Sequence, residues 1–84
     1  MNYAVIWTKK ALDQLALAWV GANDRTAVQR ASNRIDAKLG MHPWAHGESR
    51  GGNDRLFFDA PLAVFYRIDD SDRKVYVISV ALTK

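Results

Sequence analysis

Apolar positions recur along this chain with two different periods, and the change of period divides it. Residues 3 to 7, YAVIW, are β-branched and aromatic and predict a short strand. Thr8 follows as a helix N-cap. Leu12, Leu15, Ala16 and Trp19 then fall at i, i+3, i+4 and i+7, one apolar helical stripe. Gly21 suits a C-terminal stop, and Ala22-Asn23-Asp24 a tight turn. Asp24 can cap a second helix, in which Val28, Ala31, Ile35 and Leu39 recur every three or four residues until Gly40 closes it. Two helices with so short a joint form an αα-hairpin.

Beyond the loop 42–52, HPWAHGESRGG, the period drops to two. Arg55 to Asp59 predicts a strand, interrupted by Ala60-Pro61. Leu62, Val64, Tyr66 and Ile68 then alternate with Ala63, Phe65 and Arg67. The acids of 69–73 mark a solvated turn. Lys74 to Leu82 is the strongest strand, with Tyr76, Ile78, Val80 and Leu82 on one face. The order β-α-α-β-β-β, with helices and strands segregated, predicts a two-layer α+β domain over residues 1–84. The αα-hairpin covers one face of the sheet and leaves the other open. Arg55, Phe57 and Asp59, then Ala63, Phe65 and Arg67, then Ser79, Ala81 and Thr83 are expected on that open face.

Composition narrows the class. The chain has 84 residues, 49% of them hydrophobic, enough for one small core and against disorder. Such a domain buries only about 60–65% of its unfolded surface. It has no cysteine, so no disulfide or thiolate metal site supports it, and a reducing cytoplasm fits. The opening MNYAVIWTKK lacks a charged segment before an apolar run, so no signal peptide is expected. No apolar stretch approaches the roughly 18 residues of a membrane span. A net charge of +3 permits an acidic or nucleic-acid partner without demanding one.

The loop gathers two histidines, the chain's sole glutamate and an arginine. His42 and His46 are spaced i, i+4, which suits a metal only on a helix; Pro43 and Gly47 argue against one, so no metal or cofactor is expected. A loop histidine hydrogen-bonded to backbone is the plainer reading, a general base the sharper one. Glu48 and Arg50 suit either phosphate chemistry or an ion pair that fixes the loop. Trp44 is expected to plug the core beneath it. Arg30, Arg34 and Lys38 form a basic stripe on the second helix, best explained as a solvated face. Asp69, Asp70 and Asp72 lack the spacing of a calcium loop. Arg55 and Arg67, beside Phe57 and Phe65, suit single-stranded RNA or an apolar partner segment equally well.

The ordered set YAVIWTKKAL-DQL, GESR, and LAVFYRID…KVYVISVAL resembles the RelE/ParE superfamily of toxins from bacterial type II toxin–antitoxin systems, over nearly the whole chain. The resemblance implies an antiparallel sheet with the first strand beside the last and a cytoplasmic toxin, with a place in plasmid stabilisation. It implies a cognate antitoxin as partner, with the ribosome and messenger RNA, or DNA gyrase, as target. One branch cleaves messenger RNA without metal on the concave open face; the other inhibits gyrase. Where the nuclease branch has lysines, this sequence holds Phe57 and Asp59, and its strand arginine is replaced by Ala63. Its closing arginine and tyrosine give way to Thr83 and Lys84. The usual nuclease set is thus mostly missing, and enzymatic activity stays open. A rebuilt catalytic set would be Arg50 and Arg67 on phosphate with His46 or Glu48 in proton transfer. Arg55, Phe57, Phe65, Ser79 and Thr83 would contact nucleic acid or partner. A non-catalytic binding module or an inactive homologue is the alternative.

Overall fold

The computed structural model describes residues 2–83. Its elements are β1 (Ala4–Trp7), α1 (Lys9–Gly21), α2 (Arg25–Met41), a 3₁₀ turn (Pro43–Ala45), β2 (Glu48–Ser49), β3 (Asp54–Asp59), β4 (Leu62–Asp69) and β5 (Lys74–Leu82). Side-chain caps start both helices: Thr8 accepts from the Ala11 N–H at 3.1 Å, and Asp24 from that of Ala27 at 3.0 Å. The five strands form one sheet in the order β1-β5-β4-β3-β2, with the helical hairpin on one face.

The architecture matches the expected two-layer α+β fold, with two corrections to the sheet. A short fifth strand, β2, forms within the loop 42–52, where the sequence predicts only a connection. The first strand does lie beside the last, but parallel to it, so the sheet is mixed. Tight turns force consecutive strands antiparallel. No turn joins β1 to β5, so nothing local fixes their relative direction.

The core sits between helices and sheet. Val28, Ala31, Ile35 and Leu39 of α2 are all buried, as their spacing predicts, against Leu62, Val64, Tyr66 and Ile68 of β4 and Val75, Val77 and Val80 of β5. On α1 the expected stripe is rotated. Ala11 and Ala18 are buried and Leu15 packs on the core, whereas Leu12 and Trp19 of the predicted stripe are exposed, as are Leu17 and Val20. Small residues face the sheet here, and they let the helix approach β5 closely.

Helix α1 also covers an edge. β1 pairs only with Lys74–Val77 of β5, which leaves the second half of β5 without a strand neighbour on that side. Gln14 Oε1 accepts the Val80 N–H at 2.7 Å, and the Thr8 hydroxyl donates to the Ile78 carbonyl at 3.3 Å. Two polar side chains thus take over ladder bonds that a strand would have made.

Candidate functional site

Cross-strand register fixes which residues share the uncovered face. Arg67 of β4 stands opposite Asp54, Phe65 opposite Leu56, and Ala63 opposite Phe58. Across β5 the partners are Tyr76 for Arg67, Ser79 for Phe65 and Ala81 for Ala63. Phe65 and Val64 keep step with Ser79 and Val80, but Tyr66 faces Val77, so Ile78 is an extra residue and a bulge. Ile6 of β1 pairs with Tyr76, and Glu48 of β2 with Leu56. The open face is therefore a band of Ile6, Tyr76, Phe65, Leu56 and Phe58, and Phe58 is 57% exposed.

Two expectations fail here. β3 presents Asp54, Leu56 and Phe58 to the open face, so Arg55, Phe57 and Asp59 lie on the helix side. The bulge at Ile78 likewise moves Tyr76 to the open face, opposite the side of Val77 and Val80. Arg55 and Asp59 each have partners under the sheet. Arg55 Nε donates to the His46 carbonyl at 2.8 Å, and its terminal nitrogen to that of Gly47 at 3.0 Å. Arg34 grips Asp59 through two nitrogens, the shorter contact 2.8 Å, and Lys38 approaches it at 3.5 Å. Hydrogen bonding from Arg34 holds the Asp59 carboxyl below its usual range. The basic stripe is thus partly spent on joining α2 to β3 rather than solvated, and Asp59 cannot repel a phosphate on the other side of the sheet. Phe57 packs on the core and against the His46 ring, with centroids 5.3 Å apart.

The loop 42–52 is fastened from below. The buried Tyr66 hydroxyl lies 2.8 Å from both the Pro43 and His46 carbonyls. Burial pushes the phenol pKa up, which keeps it a donor. Gly47 has φ +73°, and a Cβ there would stand 2.7 Å from the Leu56 carbonyl oxygen. Only glycine lets the loop turn this close to β3. Burial, then Lys38 and His42, push the His46 imidazole pKa down. That ring lies on the helix side, whereas Glu48 lies on the open face, so the two candidates for proton transfer are separated by the sheet.

Arg67 does lie on the open face, exposed, but its guanidinium closes on Asp54 at 2.6 and 3.1 Å. That contact lowers the carboxyl pKa and raises that of the arginine. Arg50 pairs with Glu48 at 3.3 Å at the rim. Phe65 and Ser79 stand together at the centre. Thr83 lies past β5, its N–H bonded to the Pro61 carbonyl at 2.7 Å, in a cleft beside the joint between the helices. Lys84 lies outside the described residues. Among the described residues, no three or more His, Asp or Glu side chains gather to hold a metal ion.

Tyr76, Leu56, Phe58 and Ile6 are the open-face residues that alternation missed. Leu56 and Phe58 were hidden by the run LFF, which is apolar in either phase, and Tyr76 by the bulge. Trp44, expected as a core plug, is 41% exposed, and its indole N–H donates to Asp70 at 3.0 Å. Asp70, expected as a solvated turn acid, also accepts from the Tyr3 hydroxyl at 2.6 Å.

No family model matches the sequence, and no curated protein does. Solved structures match over nearly the full length. A chain of the RelBE2 toxin–antitoxin complex from Mycobacterium tuberculosis shares 19% identity at a TM-score of 0.79, over 98% of this chain and 99% of that one. A chain of the chromosomal ParDE system from P. aeruginosa gives 15% identity and 0.75, over 99% and 98%. The intact E. coli RelBE complex gives 19% and 0.68, over 98% of each. The chain therefore has the RelE/ParE toxin fold.

Proposed function

We propose that this chain is the toxin of a type II toxin–antitoxin pair, and that it arrests growth by pressing its open sheet face against a protein target such as DNA gyrase. A cognate antitoxin silences it in the cytoplasm. The fold shared with chains from toxin–antitoxin complexes supports the toxin role. The character of the open face supports contact rather than cleavage. Phe65 and Leu56 stand on it, Phe58 is exposed near the end of β3, and Arg67 is neutralised by Asp54. A face whose arginine is already paired is suited to aromatic anchoring, the usual source of protein–protein affinity.

One observation favours a second reading, cleavage of ribosome-bound messenger RNA. Glu48 and Arg50 stand at the rim of the face that carries Arg67. There Glu48 would take the 2′-hydroxyl proton, and Arg50 and Arg67 would hold the phosphate once released from their carboxylates. His46 has no part in it, because its ring is on the helix side.

Inducible expression separates the two. Contact with gyrase predicts arrested cells with altered plasmid supercoiling, intact transcripts, and arrest undiminished by Arg50→Ala. Cleaved transcripts with normal supercoiling, and arrest lost in a stably folded Arg50→Ala variant, would reverse the ranking.

A further inference from the structure

β5 carries one residue more than its partner can pair. Val77 stands opposite Tyr66 and Ser79 opposite Phe65, which leaves Ile78 out of the ladder. A regular strand turns residues three apart to opposite faces. The extra residue cancels that alternation. Val75, Val77 and Val80 are buried beneath the sheet, and Tyr76 and Ser79 both stand on the open face. Bulges of this kind re-aim a side chain, and they concentrate beside functional sites.

What the bulge presents is a pair of unspent hydroxyls. The chain has three tyrosines. Tyr3 donates to Asp70, and the Tyr66 hydroxyl serves the carbonyls of Pro43 and His46. The Tyr76 hydroxyl has no hydrogen-bond partner among the described residues, and neither has that of Ser79. Among those residues no buried side-chain nitrogen or oxygen lacks a partner, so neither hydroxyl is sealed in. Tyr76 stands beside Ile6 of β1 and Arg67 of β4, and Ser79 beside Phe65. Arg67 offers them nothing, because Asp54 already holds it.

A hydroxyl among apolar neighbours is costly to cover unless the covering molecule supplies a partner. A cationic donor would have to approach beside the Arg67 guanidinium; a carbonyl or carboxylate oxygen would not. We propose that Tyr76, with Ser79 beside it, is the specificity determinant of the open face, its phenol donating to an oxygen acceptor set in the apolar patch of the protein target. This rests on the contact proposed above and adds a polar requirement on the partner. Aromatic rings supply affinity for many apolar surfaces. A surface without the acceptor would bury the phenol unmet and is rejected.

Graded inducible expression, with the amount of chain at growth arrest read by immunoblot, tests this on the parent, Tyr76→Phe, Ser79→Ala and Phe58→Asp. Tyr76→Phe keeps the ring and deletes only the hydroxyl. That hydroxyl has no partner within the described fold, so the melting midpoint should stay at the parent's. The target's acceptor is then left unmet, and the amount of chain needed for arrest should rise about 5- to 150-fold, the equivalent of about 1–3 kcal/mol. Ser79→Ala should act in the same direction and more weakly. Phe58→Asp reports on the contact by itself. If it abolishes arrest while Tyr76→Phe arrests at the parent's level, the contact stands and the role of Tyr76 is overturned. If Phe58→Asp leaves arrest undiminished, or the parent chain does not arrest growth, the contact fails and the role of Tyr76 falls with it. A Tyr76→Phe chain that loses arrest together with its melting midpoint would make the hydroxyl structural, which also overturns the assignment.

Discussion

Tyr66 carries a phenol into the core and uses its hydroxyl to hold the loop 42–52 by two carbonyls. Tyr66→Phe keeps the ring and its packing but strips the Pro43 carbonyl of this donor, while His46 retains Arg55. Leaving a buried acceptor unmet costs about 1–3 kcal/mol. At roughly 4–8 °C per kcal/mol for a domain of this size, thermal unfolding should show a clear drop in midpoint. The His46 ring above it predicts an acid response of definite sign. Its folded pKa lies below that of the free imidazole, near 6.5, because burial and the neighbouring Lys38 and His42 disfavour the charge. The unfolded chain therefore takes up the proton first as pH falls. Stability should be complete above about pH 7 and decline below about 6.5, until the folded ring also protonates. His46→Gln should flatten that decline; an unchanged slope would assign it elsewhere. The depressed carboxyl of Asp59 acts in a separate window, its contribution fading only as pH falls below about 4.

Helix α1 does two jobs at element scale, packing small residues on β5 and covering the part of that strand which β1 does not reach. Gln14→Leu removes the acceptor from the Val80 N–H. The expected result is a loss of about 1–3 kcal/mol in denaturant unfolding, with concentration-dependent self-association through the bared edge. Gln14→Glu retains an acceptor and should be milder. What the sequence hid belongs to this scale too. The order of the main elements, the helix caps, the α2 stripe and the inward set of β4 could be read from local periodicity, whereas the two-residue β2 within the loop could not. β3 could not: in DRLFFD both phases are apolar at one position or more, and the more polar phase turned inward because Arg55 and Asp59 find partners on the loop and on α2. Those partners lie far along the chain, beyond the reach of a short window. The bulge at Ile78 left no mark either, since KVYVISVAL alternates acceptably in both phases around it. The parallel pairing of β1 was invisible for the same reason, being a contact between the two ends of the described chain.

For the whole molecule, the outcome is a division of labour between two sides. Arg55 and Asp59, expected on the open face, are turned under the sheet to fasten loop, helix and strand, while on the uncovered side Arg67 is paired with Asp54 and Arg50 with Glu48. A small domain has few other ways to fix a long loop, because its core is thin. The consequence for action is specific. Phe58 is 57% exposed near the end of β3, so replacing it should barely disturb the fold. If arrest works by apolar contact, Phe58→Asp removes an aromatic anchor and introduces a charge that must be desolvated. Loss of an anchor of this kind is worth about 2–4 kcal/mol, or roughly 30- to 1000-fold in target affinity. Growth arrest should vanish while the melting midpoint stays close to that of the parent. Arg67→Gln serves as the counterpart: Asp54 already occupies the guanidinium, so arrest should survive its removal if contact is the mechanism, and should be lost if the guanidinium must swing onto a phosphate. A Phe58→Asp chain that still arrests growth, beside an Arg67→Gln chain that does not, would place the action on the charges and not on the rings.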